Sequence, residues 1–245
     1  MPRFKFIVAY DGTNYHGFAR QKNALTVQEV LEGAISSILQ KPIEVVGSGR
    51  TDTGVHAKGQ CCIFNAETSI EVQNLARAIN SKLPSDIVIK DVQIAADDFH
   101  PRYAAKNKTY RYQILNSDTR DPFIDKYAYF YPYPLDIERM QEAATYMIGE
   151  HDFNCFCSAG GGAHSTVRII YDLKIIKQDE LILIDVCGNG FLYNMVRIIV
   201  GTLLKIGSQK LSANDIENII KSKNRALAGP TAPPEGLTML EIVYK

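Results

Sequence analysis

An aspartate set between an arginine, threonines and glycines raises the first chemical question in this sequence. Asp52 stands in "GSGRTDTGVHAKGQ" (47–60), with β-branched and apolar residues on either side, "EVV" before and "QCCIF" after. Two readings are open. Asp52 is a turn residue bonding its own backbone while Gly54 takes a positive φ, or it is a reactive carboxylate carried on a loop. The second reading needs something to keep the carboxylate ionised. Arg197 is a candidate, being the only charged residue between Asp185 and Lys205, inside the apolar run "FLYNMVRIIVGTLL" (191–204). An arginine among such neighbours reaches out to solvent, pairs with some acid, or pairs with Asp52. In the last case the guanidinium would favour the ionised carboxylate and orient it.

Tyr110 is the third residue of interest. In "TYRYQIL" (109–115), a period of two puts Tyr110, Tyr112 and Ile114 on one face and Thr109, Arg111 and Gln113 on the other. Two aromatics on one face suit a core, and they also suit a stacking platform. No acid occurs between Asp98 and Asp118, where Arg102, Lys106, Lys108 and Arg111 all fall. A basic stretch leading into an aromatic strand fits phosphate contact with base stacking.

The elements that would position these residues follow from periodicity. Strands are expected at 3–10, 42–49, 60–66 and 86–95, with helices at 26–40 and 72–83, the latter stopped by Pro84. That order is β-α-β-β-α-β, the ferredoxin-like unit. A second round follows: a strand at 108–115, a helix at 136–151 with Asp136 as N-cap, a hairpin turning on "KQDE" (177–180), a long apolar helix at 191–207, a short one at 215–223 and a strand at 237–244. The expected fold class is α+β. It is built of two ferredoxin-like halves, 1–103 and 104–245, with antiparallel sheets meeting around a central cleft. In the second half the middle hairpin closes tightly. In the first it carries the long excursion "SGRTDTGVHAKG" (48–59), more than hairpins usually need. A loop not required by folding is where a rigid scaffold carries function.

Composition narrows the classes. The chain has 245 residues, 46% of them apolar, and no formal net charge, so any polyanion site must be local. Its five cysteines lack C-x2-C spacing, and the N-terminus lacks a secretory signal. Reduced thiols in a cytoplasmic protein are expected. No apolar run reaches the length of a membrane span. The five histidines show no metal spacing. "AYDGTNY" (9–15) lacks the acid two positions before Asp11 that a phosphoaspartyl loop requires, and "GSGRTDTG" lacks the Gly-Lys-Ser/Thr of a P-loop.

Five blocks in order resemble the TruA family of tRNA pseudouridine synthases: "YDGTNYHGFARQ" (10–21), "GSGRTDTGVHAKGQ" (47–60), "FHPRYAAKNKTYRY" (99–112), "FLYNMVRIIVGTLL" (191–204) and "APPEGLTM" (232–239). Thr53, Ala19 and Pro234 depart from the usual pattern. The resemblance implies the pseudouridine synthase fold. It also implies isomerisation of uridine to pseudouridine in the anticodon stem-loop, at positions 38 to 40 of the tRNA, by a cytoplasmic homodimer that needs no cofactor and no metal. By the same resemblance Asp52 is catalytic, Arg197 is its basic partner, and Tyr110 stacks on the target base. Arg50 helps displace that base and Leu237 lines the pocket. Two rivals are a non-catalytic RNA-binding module, which would not need Asp52, and a glycosidic hydrolase, which would need a second carboxylate.

Overall fold

The computed structural model describes Met1 to Tyr244. These residues pack as two compact units. One is Met1–Lys106 together with the residues from Met239 on; the other is Asn107–Thr238. The grouping of the last strand from Met239 on with the first unit has no counterpart in the expected linear halves 1–103 and 104–245.

The first unit begins with β1 (Arg3–Tyr10), whose alternate residues Phe4, Phe6, Val8 and Tyr10 are buried, as a strand with one covered face requires. Helix α1 (Val27–Leu39) opens on Thr26, whose hydroxyl accepts from the Glu29 N–H in a T-x-x-E capping arrangement. It closes on Gln40 in the left-handed region. Then come β2 (Val46–Gly47), β3 (His56–Asn65), α2 (Val72–Asn80) and β4 (Ile87–Ala95). Asn80 ties the end of α2 to β4 by giving to Ile89 O and accepting from Ile89 N–H. The sheet order is β4-β1-β3, with β2 on β3, the ferredoxin-like arrangement, and β10 (Leu237–Tyr244) also lies along β3. The strand expected at 42–49 shrinks to Val46–Gly47, because the chain leaves the sheet at Ser48. The strand expected at 60–66 starts four residues earlier, at His56, because β3 continues along β1 as far as Ala57 opposite Tyr10.

The second unit holds β5 (Ala105–Leu115), β6 (Tyr129–Phe130), α3 (Ile137–Thr145), β7 (Gly149–Asp152), β8 (Val167–Gln178), β9 (Leu181–Gly188), α4 (Met195–Gly207) and α5 (Asp215–Ser222). Its sheet runs β5-β9-β8-β7, with β6 on β5. β8 and β9 turn on Asp179 and Glu180, Asp179 being left-handed at φ 54°. α3 is shorter than expected: it ends at Thr145, and Gly149 at φ 107° starts β7, which periodicity did not reveal. α4 starts at Met195, since Asn194 at φ 59° cannot continue a right-handed helix backwards into Phe191–Tyr193. Of α4's side chains only Arg197 and Lys205 are not buried. Such a helix is held by packing on all sides. All five cysteines are free thiols, and burial pushes Cys155 up to about 11.

Candidate active site

The excursion that carries Asp52 is residues 48–55, between β2 and β3, shorter than the 48–59 read from sequence. Its entry is clamped. Ser48 N–H donates to Cys61 O at 2.9 Å, its hydroxyl donates to Gln60 Oε1 at 2.5 Å, and Gln60 Nε2 donates to Gly49 O at 2.7 Å. Gln60 is fully buried, so its amide serves only this clamp and not solvent. At the tip, Val55 N–H donates to Asp52 O at 3.1 Å, and Gly54 sits at φ 77°. That is the third position of a turn that needs a positive φ there. The backbone of Asp52 is therefore a turn residue, as the bland reading has it. Its side chain is half-buried.

What sets this turn apart is its bracing. The opening segment, residues 10–21, wraps it. Tyr10 and Thr51 share a hydroxyl–hydroxyl bond of 2.8 Å, Phe18 N–H donates to Thr51 O at 3.1 Å, and Gly54 N–H donates to Tyr15 O at 3.3 Å. Gly12 N–H donates to His56 Nδ1 at 3.0 Å, and any side chain at 12 would put its Cβ 2.0 Å from Val55 O. Backbone thus lies directly on backbone. Residues on both sides of Asp52 are pinned from outside its own loop.

The wrap is itself anchored. Tyr15 donates its hydroxyl to Asp86 at 2.8 Å; burial and that carboxylate raise its pKa. From α1, the buried Glu32 accepts from Arg20, from Gln28 Nε2 at 3.1 Å and from Val45 N–H at 3.0 Å. One carboxylate therefore joins the wrap, the helix and the chain leading into β2. Arg50, two residues before Asp52, is exposed.

The other expected residues stand in the second unit. Tyr110, on β5 opposite Val186, is half-buried, with its ring edge-on to Phe191 at 5.2 Å and 85°. Tyr112, two residues on, is wholly buried and donates its hydroxyl to Pro233 O at 2.8 Å. The two tyrosines that share a face thus have different fates: Tyr112 is core and Tyr110 is partly open. Burial raises the Tyr112 hydroxyl pKa, with Glu235 adding and Arg197 opposing.

Arg197 is half-buried rather than sunk among apolar neighbours. Its Nε donates to Ala232 O at 2.7 Å and its Nη1 to Asn194 Oδ1 at 2.9 Å, while its own carbonyl accepts from Ala232 N–H at 3.1 Å. The strap 228–233 is fixed one turn further along α4. Gly229 N–H donates to Thr202 Oγ1 at 2.8 Å, and a Cβ at Gly201 would lie 1.8 Å from Pro230 O. Leu237 is buried just after a turn in which its N–H donates to Pro234 O at 2.9 Å.

Arg111 corrects the reading of 102–111 as four cations available to phosphate. It faces Asp185 across the β5–β9 register and closes on it twice, Nε to Oδ1 and Nη2 to Oδ2, each at 2.7 Å. The hydrogen bonds to Asp185 raise its pKa. The partner lies 74 residues away, which a local charge count does not see. Sequence reasoning also missed the frame residues Tyr10, Thr51, Gln60 and Glu32, since nothing local marks a clamp. Among the described residues, no group of three or more His, Cys, Asp or Glu could hold a metal ion, and no helix is long and apolar enough to cross a membrane.

Comparison with known proteins adds a second line. The family model described as tRNA pseudouridine synthase matches residues 6–104 and 143–245. The chain belongs to that family. A tRNA pseudouridine synthase A from Thermoanaerobacter sp. (strain X514) is 48% identical over 244 residues, covering 100% of both chains. That of Acetivibrio thermocellus is 46% identical over 244 residues, again 100% of both. A tRNA pseudouridine synthase A 1 from Bacillus cereus is 46% identical over 245 residues, 100% of this chain and 99% of its own. The first matched segment contains the whole Asp52 turn and all of its wrap. The second contains Arg197 and its strap. Tyr110 lies between the two segments.

Proposed function

We propose that this chain isomerises uridine to pseudouridine in the anticodon stem-loop of tRNA, at positions 38 to 40, with Asp52 as the reacting carboxylate. The N1–C1′ bond breaks, the base turns, C5 bonds to C1′, C5 loses its hydrogen and N1 gains one. The observation that carries the reading is the bracing of the Asp52 turn. Thr51 and Gly54 are each held by the 10–21 wrap, so the carboxylate between them is presented on a preformed frame. Preorganisation of that kind is what a reacting group needs and an ordinary turn does not.

In this reading Arg197, fixed by Ala232 O and Asn194, supplies the counter-charge of the aspartate. Tyr110 stacks on the extruded uracil, Arg50 fills the gap in the stem, and Leu237 lines the pocket. Extruding a base from a stem costs a few kcal/mol, and stacking returns about 1–3 kcal/mol of it. The enzyme works in the cytoplasm as a homodimer and uses no cofactor.

The test is tritium release from a tRNA transcript labelled at uridine C5. Wild type releases label; Asp52→Asn releases none while binding the transcript within a few-fold of wild type. Turnover by Asp52→Asn at near the wild-type rate would remove Asp52 from its role. Binding without release by wild type would favour a non-catalytic RNA-binding module.

A further inference from the structure

The loop at the end of the first unit presents an aromatic ring that its own fold does not use. Tyr103 is 79% exposed, so most of its ring is unused by packing within this chain. The loop beneath it is tied down at successive points. Phe99 N–H donates to Ala96 O at 3.0 Å, and Arg3 Nη1 donates to Phe99 O at 2.9 Å. Tyr244 donates its hydroxyl to Pro101 O at 2.9 Å, and Ala104 N–H donates to His100 O at 3.0 Å. The Phe99 ring packs edge-on against Tyr244 at 5.1 Å. Lys5 lies 5.0 Å from the Tyr244 ring centre and 5.4 Å from that of Phe99. The exposed ring thus stands on a fixed base.

Two neighbours give the ring its chemistry. His100 lies against it, centroids 4.4 Å apart and planes 34° from parallel, and accepts from Arg102 N–H on Nδ1 at 3.1 Å. The Arg102 guanidinium carbon is 6.0 Å from the ring centre. Asp97 and Asp98 precede the loop, so the stretch is not simply basic, yet the cation beside the ring is Arg102, and the exposed Lys106 lies three residues after Tyr103 in the chain. A flat π-surface, backed by a second ring and flanked by a guanidinium, matches a nucleobase with its phosphate.

We propose that Tyr103, backed by His100, is a second stacking platform, separate from Tyr110. It takes an unpaired nucleotide of the tRNA while Arg102 holds that nucleotide's phosphate. This rests on the reading of tRNA as substrate. The platform sets affinity and register; it does not touch the reacting atoms.

The experiment measures dissociation of an unmodified tRNA transcript from the full chain across a salt series, with tritium release run alongside. Tyr103→Ala is expected to weaken binding between about five-fold and a hundred-fold, the range for losing one base stack. Tyr103→Phe stays within two-fold, because the hydroxyl is not needed. Tyr103→Leu falls with alanine, because bulk without a π-face does not replace the ring. Arg102→Ala lowers the log–log salt slope by roughly 0.7–0.9, one phosphate contact. Tyr103→Ala binding like wild type overturns the proposal, as does Tyr103→Leu binding like wild type. If wild type neither binds nor turns over tRNA, the parent reading fails and takes this inference with it. If wild type releases tritium and Tyr103→Ala binds unchanged, this inference fails alone.

Discussion

Replacing Gly201 with alanine puts two opposed effects in one methyl group. In an open helix the change stabilises by about 0.5–1 kcal/mol, because alanine loses less backbone freedom than glycine. Here the new Cβ would stand 1.8 Å from Pro230 O, and no real Cβ contact is shorter than about 3.0 Å. The strap 228–233 must therefore retreat by more than 1 Å. Gly229 itself backs onto Gly201, at 2.3 Å from a built Cβ to the Gly201 carbonyl carbon, so sliding along the helix brings no relief. A retreat of that size carries the bonds Gly229 N–Thr202 Oγ1 (2.8 Å), Ala232 N–Arg197 O (3.1 Å) and Arg197 Nε–Ala232 O (2.7 Å) beyond hydrogen-bond range. Two neutral bonds at about 1 kcal/mol and one charged bond at about 2 kcal/mol give a loss of roughly 4 kcal/mol, or about 3 after the helix gain. Thermal unfolding should fall by roughly 6–12 °C. Because Arg197 loses its carbonyl anchor, tritium release should fall more than ten-fold at a temperature where the variant is still folded. An unchanged or higher melting temperature would refute the account of the strap as a close backbone clasp.

Gly33→Ala on α1 is the control: nothing lies within 4 Å of its Cβ position, so melting should rise slightly, by about 0.5–1 kcal/mol of helix propensity, and a fall would contradict an open site there. Tyr112→Phe removes the bond to Pro233 O from a wholly buried site and should cost about 1–2 kcal/mol, read as a lower urea midpoint at constant slope; no shift would count against that bond. Asp152 is held below its ordinary value near 3.8, first by Lys223 at 2.7 Å and then by Thr166. A depressed carboxylate stabilises the fold above its unfolded pKa and stops doing so as pH falls through the folded one. The gap in melting temperature between wild type and Asp152→Asn should thus be open at pH 7 and close below about pH 4; a gap that persists at pH 2 would contradict the pairing.

Much of the fold could be read from period and punctuation. The alternation of Phe4, Phe6, Val8 and Tyr10 gave β1, and the T-x-x-E cap gave α1 its start. Several misplaced bounds share a cause. Asn194 ahead of α4 and the departure at Ser48 set element bounds by left-handed or looped backbone, which apolar spacing does not register. The Asp52 loop stood out by length and glycine content, but what holds it did not. Tyr10, Gln60 and Glu32 act across 41, 11 and 13 residues, so no local pattern exposes them. Arg197 was conspicuous as a lone charge in an apolar run. Its carbonyl and amide acceptors lie on a strap whose approach is licensed by two glycines that spacing rules pass over.

The place of β10 along β3 has a consequence for how the protein is made. β3 lies near the start of the chain and β10 at its end, and the two meet closely enough that a Cβ at Gly59 would lie 2.4 Å from Leu240 O. A ribosome adding 5–20 residues per second needs roughly 10–40 s to get from one to the other. Throughout that interval the edge of β3 beside the Asp52 turn lacks its last neighbour, and an unpaired edge strand is a template for unwanted pairing. The sheet of the first unit thus gains its β10 neighbour long after β1 to β4 have been made.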